Sequence, residues 1–232
     1  DLVLVDGNNL LHRARGAGDA EGVRWLLPQL RAWRPADVRI VLVLDGHPQP
    51  GEPRRQKVVT GIESTYSLGL DADTVLLRII DDRSYEERAR TALVTDDRAL
   101  GDRARGMGAS VRRLDWFLER LASAMGIIEL LLKALHDEEA NPELYALVRE
   151  TLSGIARADE ATLPHLEFRF HLVCARLMGF ELDLEQITGD VTREISDALR
   201  AIARGSDTGQ PYDERTVRLV RGFFESYFAE HL

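Results

Sequence analysis

Three short apolar runs, each passing directly into aspartate, constrain the fold of this chain most. Leu2-Val3-Leu4-Val5 ends at Asp6-Gly7. Val38-Arg39-Ile40-Val41-Leu42-Val43-Leu44 ends at Asp45-Gly46, and Ala92-Leu93-Val94-Thr95 ends at Asp96-Asp97. Runs of this kind, apolar without polar alternation, predict strands buried on both faces, as in a parallel sheet covered by helices. The segments between them agree. Val23, Leu26, Leu27, Leu30 and Trp33 recur at helical spacing up to Pro35, where the helix should close. Residues 71–80 and 98–106 predict helices, 110–112 a short strand and 114–121 a closing helix. Residues 47–57, rich in Pro, Gly and Arg, read as a loop. Val58 to Tyr66 reads as one more polar strand near a sheet edge. This β-α-β alternation predicts an α/β domain over residues 1–122, a parallel sheet flanked by helices.

The rest of the chain changes character. Apolar residues recur at three- and four-residue intervals over 127–136, 142–157, 164–178, 192–204 and 213–230. Pro142 and Pro164 fall in first helical turns, and Gly205 with 206–211 reads as a stop and a loop. The expectation is an all-α helical domain over 126–232. Ser123-Ala124-Met125-Gly126, small and short, reads as a linker or as a join between separate pieces. Charge divides the same way. Residues 1–122 carry 19 basic and 19 acidic residues, and residues 123–232 carry 11 and 20, giving the net −9. Neither half has the basic excess of a dedicated nucleic-acid binder. The acidic half points to a protein partner or to solubility. No apolar run approaches the ~20 residues of a membrane-spanning helix, so no membrane role is expected. The single cysteine, Cys174, excludes a disulfide framework and a thiolate zinc site built by this chain alone. No charged-then-apolar leader opens the sequence, and the expected localisation is cytoplasmic.

The placement of the carboxylates carries the functional reading. In a parallel sheet, function gathers at the C-terminal ends of the strands. Asp6, Asp45, Asp96 and Asp97 are thereby expected at one edge, and Asp71 and Asp73 open a helix that starts there. Carboxylates sharing a cleft raise one another's pKa unless a cation neutralises them. Hard oxygen donors of this kind suit Mg2+ or Mn2+, which activate water and offset charge on a phosphodiester. Asp71 or Asp97 alone also reads as a helix N-cap, whereas Asp6 and Asp45 each end an apolar strand and precede glycine; Gly7, Gly46, Asn8 and Asn9 also read as turn residues. The repetition at one edge favours a site. Arg54, Arg55 and Lys57, in the predicted loop near that edge, are candidate substrate-binding residues that contact phosphates, or else solvated side chains. In the helical half, Phe168, Phe170, Phe223, Phe224, Tyr227 and Phe228 read as core packing.

The first half resembles a known family. Leu4-Val5-Asp6-Gly7-Asn8-Asn9-Leu10-Leu11, Val43-Leu44-Asp45-Gly46, Leu70-Asp71-Ala72-Asp73, Val94-Thr95-Asp96-Asp97-Arg98-Ala99-Leu100 and Gly108-Ala109-Ser110-Val111 occur in the order and spacing of the NYN domain. More narrowly, they are similar to the YacP-like branch of the PIN-like nuclease group. The resemblance covers about residues 1–121 and implies a metal-dependent ribonuclease acting on single-stranded RNA. It implies Asp6, Asp73 and Asp96 as metal ligands and, together with Asp97, as catalytic residues. Asn9, Asp45 and Asp97 follow as supporting site residues. One position departs: the family often carries a second acid directly after the position of Asp73, and here Thr74 stands there.

The second half resembles the helical domain of the recombination mediator RecO, through Gly126-Ile127-Ile128-Glu129-Leu130-Leu131-Leu132, Asn141-Pro142-Glu143-Leu144-Tyr145, 166–172, 177–184 and the tail from Ala198. It departs in lacking the four-cysteine zinc element, since 185–190 holds no cysteine, and no zinc is expected. The resemblance implies a protein partner from DNA repair or replication, RecR or the tail of single-stranded-DNA-binding protein. Two functions therefore stand open: a divalent-metal nuclease coupled to a docking module, or a non-catalytic repair scaffold.

Overall fold

The computed structural model describes residues 1–16, 20–33, 35–135, 141–180, 182, 193–204 and 212–232. The expected loop over 206–211 and the cysteine-free stretch 185–190 lie outside the described residues. Contacts divide the chain into two units, Asp1–Met125 and Gly126–Leu232.

In the first unit the elements run β1 (Leu2–Asp6), α1 (Gly7–Arg15), α2 (Ala20–Trp33), β2 (Arg39–Leu44), β3 (Arg55–Val59), β4 (Ile62–Tyr66), α3 (Ala72–Asp81), α4 (Tyr85–Ala89), β5 (Thr91–Val94), α5 (Arg98–Gly106), β6 (Ser110–Arg112) and α6 (Leu114–Ala134). The strands form one sheet in the order β3-β4-β2-β1-β5-β6. All neighbours are parallel except β3, which pairs antiparallel with β4 at the edge. The sheet is thus mixed rather than wholly parallel. The single strand expected over 58–66 is a hairpin. Thr60 and Gly61 make the turn, Gly61 at φ +86°, a conformation open to glycine at no steric cost. Arg55 and Lys57 accordingly lie on β3 and not in a loop.

The central runs are buried as expected. Leu2, Leu4, Val41 and Val43 on one sheet face meet Val75, Leu76 and Ile80 of α3 and Leu100 and Ala104 of α5. Helix α1, over residues expected in part as a turn, begins directly after β1. Gly7 allows this. A Cβ there would stand 2.7 Å from both the Val43 carbonyl oxygen and Leu44 Cδ2. Its role is close approach of α1 to β2. Helix α6 covers the helix expected over 114–121 and most of the one expected over 127–136, without a break at Ser123–Gly126. Ala122, Ala124 and Met125 are strong helix formers, and one interior glycine costs only ~1 kcal/mol.

The second unit is helical: α7 (Pro142–Arg157), α8 (Thr162–Leu177), α9 (Arg193–Ala203) and α10 (Glu214–His231). Helix α8 packs against α7, α9 and α10. Phe168, Phe170, Phe224 and Phe228 are buried, and the His171 ring stacks on Phe224 at 4.8 Å. Glu167, only 4% exposed, receives two hydrogen bonds of 3.0 Å from the Arg221 guanidinium, which compensates its buried charge. No described helix is long and apolar enough to cross a membrane.

Two tests follow from this packing. Gly7→Ala should destabilise the α/β unit by about 1–3 kcal/mol, the usual range for overpacking, read as a lower urea midpoint. Burial, with Arg221 nearby, lowers the His171 imidazole to about 4. The unfolded chain takes up that proton from about pH 6.5 downward, so this stability is complete above that pH. It is lost as pH falls towards 4, by up to about 3 kcal/mol. His171→Phe should flatten that dependence in urea unfolding between pH 7 and 4.5.

Candidate active site

The edge where the parallel strands end is also where their helices begin, and the aspartates there answer the helices' need for acceptors. The first N–H groups of a helix have no intrahelical partner. Asp6 caps α1, with Oδ1 accepting the Asn9 N–H at 3.3 Å. Asp71 caps α3 through the Thr74 N–H at 2.6 Å, and Asp97 caps α5 through the Leu100 N–H at 2.9 Å. Asp45 Oδ1 accepts the N–H of Ala72, the first residue of α3, at 2.8 Å. Asp96 Oδ1 accepts the N–H of Leu114, the first residue of α6, at 3.2 Å. The capping reading therefore holds for Asp71 and Asp97, and Asp6, read from the sequence as a site residue, is a cap as well. The same bonds fix Asp6, Asp45 and Asp97 beside one another at the edge.

Asp6 is the best-held member. It is 3% exposed, and its Oδ2 accepts from Asn9 Nδ2 and from Thr95 Oγ1, the latter at 3.1 Å. Thr95 Oγ1 in turn accepts the Asp97 N–H at 3.1 Å. Val5 pairs with Val94, so the next step of each strand brings Asp6 level with Thr95. The chain leaves β1 towards β2 and β4 and returns through α3 to β5 on the other side of β1. This reversal of strand order is where α/β sheets place their binding crevice. Burial raises the Asp6 carboxyl above its ordinary value, Asn9 and Thr95 pull it back, and Asp45 raises it further.

Asp73 differs from the rest. It lies in the first turn of α3 and caps nothing. Burial raises its carboxyl above the ordinary value, and Asp6, Asp97, Asp71 and Asp45 each raise it further. Asp71, one residue outside the helix, is held low by the Thr74 hydrogen bonds.

The expected ligand set Asp6, Asp73 and Asp96 does not close as three ligands on one ion. Among the described residues no three carboxylate, imidazole or thiolate groups are placed to do so. Asp96 turns towards the start of α6, where Arg113 Nε stands 3.6 Å away. The adjacent Asp97 is the β5 acid that acts on Asp73. The donor chemistry still fits a hard cation. Mg2+ keeps several waters and needs only one or two carboxylates, and Asp6 with Asp73 supplies two that repel each other without one. Asn9 holds Asp6 through its backbone and side-chain N–H groups. Asn8 and Thr95, not expected in the site, position it: Asn8 Oδ1 accepts the Asp45 N–H at 2.8 Å. The sign of Thr95 in sequence is a hydroxyl ending an otherwise apolar buried run.

The basic candidates stand apart from this cluster. Arg55 and Lys57 are on the edge strand β3. Arg55 pairs with Glu63, and Arg54 Nε donates to the Tyr66 carbonyl at 3.4 Å.

Comparison with known proteins adds the following. Residues 117–230, just under half of the chain, match the family model described as recombination protein O C terminal. Two crystal structures of Rae1 (YacP) from Bacillus subtilis, one of them a point mutant, align with 68% of this chain. They do so over 100% and 96% of their own, at 16% and 18% identity and TM-scores of 0.47 and 0.46. No curated protein matches. The architecture is an α/β unit followed by a helical one, and the helical unit carries nearly all of the recombination-protein match.

The repulsion at Asp73 has a measurable signature. Its raised pKa means that the folded protein gives up this proton less readily than the unfolded chain. Above about pH 4 ionisation therefore lowers stability until the raised pKa is passed. Relative to wild type, Asp73→Asn should gain stability as pH rises through that window. The gain should be only about 0.5 kcal/mol after solvent screening, or about 2 °C in Tm. Thermal scans at pH 3.5, 5 and 7 check it.

Proposed function

We propose that the α/β unit hydrolyses phosphodiester bonds in single-stranded nucleic acid, RNA in preference to DNA, with Mg2+ or Mn2+ as cofactor. The observation that carries this is Asp73, a partly buried carboxylate whose electrostatic neighbours are four other acids, beside the buried and rigidly held Asp6. A fold tolerates such repulsion where something else offsets it. Asp6 and Asp73 would hold the cation, and bound there it supplies a more acidic water and neutralises charge on the phosphate. Asn9 and Thr95 fix the Asp6 carboxylate in one rotamer, so its oxygens need no reorganisation. Asp97, tied to Thr95 through its own N–H and to α5 through its carboxylate, would accept a proton from an attacking water. Asp96, engaged with Leu114 and Arg113, serves the framework of the site. The preference for RNA rests on the sequence resemblance.

For the helical unit we propose docking of a protein partner of the DNA repair or replication machinery, RecR or the tail of single-stranded-DNA-binding protein. The family-model match and the acidic charge of this half support it.

A second reading makes the α/β unit a non-catalytic scaffold. It draws on the lack of a closed three-ligand set among the described residues, and on Thr74 in place of a second acid. The two readings separate on metal and on turnover. Under the nuclease reading, Mn2+ uptake seen by calorimetry disappears in Asp6→Asn. Mn2+-dependent cleavage of a labelled single-stranded RNA should fall at least about 100-fold in Asp6→Asn and Asp73→Asn, and less in Asp96→Asn, in line with the larger loss at a ligand than at an outer-shell partner. No uptake and no cleavage by the wild type would leave the scaffold.

A further inference from the structure

Beside α3, on the sheet face that also carries Asp6, a cavity of about 340 Å³ opens over β2, β4 and β3. Its rim carries four guanidinium groups, of Arg39, Arg54, Arg55 and Arg83, and its floor is apolar, with Val41, Val75 and Ile79. The arginines come from three places in the fold, the start of β2, the start of β3 and the end of α3, and meet too few carboxylates. Arg39 and Arg55 share Glu63. Arg83 reaches Glu87 only at 3.6 Å, and its Nε is buried without a hydrogen-bond partner. Arg54 donates to a backbone carbonyl and pairs with no carboxylate among the described residues. Among the described residues these four cations have two carboxylate partners, Glu63 and Glu87, which leaves an excess of positive charge around an apolar floor.

That combination selects a ligand with an anionic end and a flat apolar body. Guanidinium groups bind phosphate oxygens and also stack on bases. The volume is at the lower end for small-ligand pockets, ~300–1,000 Å³, and has room for one nucleotide. We propose that this cavity receives one unpaired nucleotide of a single strand, its phosphate held by Arg54 and Arg83 and its base laid on Val41, Val75 and Ile79. A base inside a duplex faces its partner and cannot enter. Helix α3 links this cavity to the acidic edge: Ile79 lies six residues beyond Asp73, about 9 Å along the helix axis. Where the acidic edge cleaves, a strand anchored in the cavity is cut a fixed short distance from the anchored nucleotide. This positional consequence rests on the nuclease reading, and the binding itself does not.

The test is made on the full chain in EDTA, where metal-dependent cleavage plays no part. Binding of fluorescein-labelled oligouridylate is followed by anisotropy. The single strand should bind at least about tenfold tighter than the same length of duplex RNA. Uridine 5′-monophosphate should displace it at a concentration at least about tenfold below inorganic phosphate. Arg54→Ala, an exposed position, should weaken binding about tenfold, and Arg78→Ala, on α3 away from the lining, less than about threefold. Equal competition by phosphate and mononucleotide, equal binding of duplex, equal losses in the two variants, or no binding by the wild type would each overturn the proposal. Absence of Mn2+-dependent cleavage would count only against the nuclease reading.

Discussion

Unpaired N–H groups at the starts of helices organise this α/β unit. The parallel strands β1, β4, β5 and β6 each hand over to a helix whose first turn exposes donors that need an acceptor, and aspartate is the shortest side chain that meets the need with charge that favours the helix dipole. Asp6, Asp71 and Asp97 cap α1, α3 and α5, while Asp45 and Asp96 each accept from the first residue of a helix. The parallel strands all point one way, so these caps collect at one edge. A local rule, satisfied strand by strand, builds a concentration of negative charge that no single cap requires.

Against that background the exception is informative. Asp71 recovers its electrostatic cost through the Thr74 hydrogen bonds that hold it low. Asp73 stands two residues further on, with burial and four acids all acting to raise it. Capping explains the first and not the second. The distinction between Asp96 and Asp97 has the same origin. Adjacent residues leaving a strand point to different sides. One is consumed by α6 and Arg113, and the other stays at the edge with Asp73 and, through Thr95, with Asp6.

Much of this was legible in the amino-acid order because it depends on local pattern. The apolar runs at 2–5, 38–44 and 92–95 need burial on both faces, and the spacing of Val23 to Trp33 needs a helix. What escaped depends on contacts between distant segments or on weak local signals. Strand β3, Arg55–Val59, has little apolar alternation and pairs only at an edge, so the hairpin at Thr60 and Gly61 looked like one strand. Helix α1 was hidden because Gly7, Asn8 and Asn9 have the composition of a turn. Gly7 is there because α1 presses on the Val43 carbonyl, a contact 36 residues away in the chain. The capping box of α4, Ser84 with Glu87, follows a recognisable spacing and was legible without being read. The fate of Asp96 depends on where α6 begins, which no motif around Asp96 states.

The first 122 residues balance 19 basic against 19 acidic, but a net count does not describe how the fold distributes them. Charge is segregated along α3. Its first turn lies among carboxylates, and its flank at Val75 and Ile79 borders four arginines. Screening confines each field to about 8–10 Å at physiological ionic strength, so a long polyanion experiences the two regions separately, whatever their sum. In the proposed nuclease, the arginine-rimmed cavity would hold a strand that the acidic edge alone would repel. The acidic edge would admit a phosphate once a cation had offset its own repulsion. Neutrality of the whole unit is then the sum of two opposed local requirements, attraction along the helix flank and conditional entry at its N-terminus.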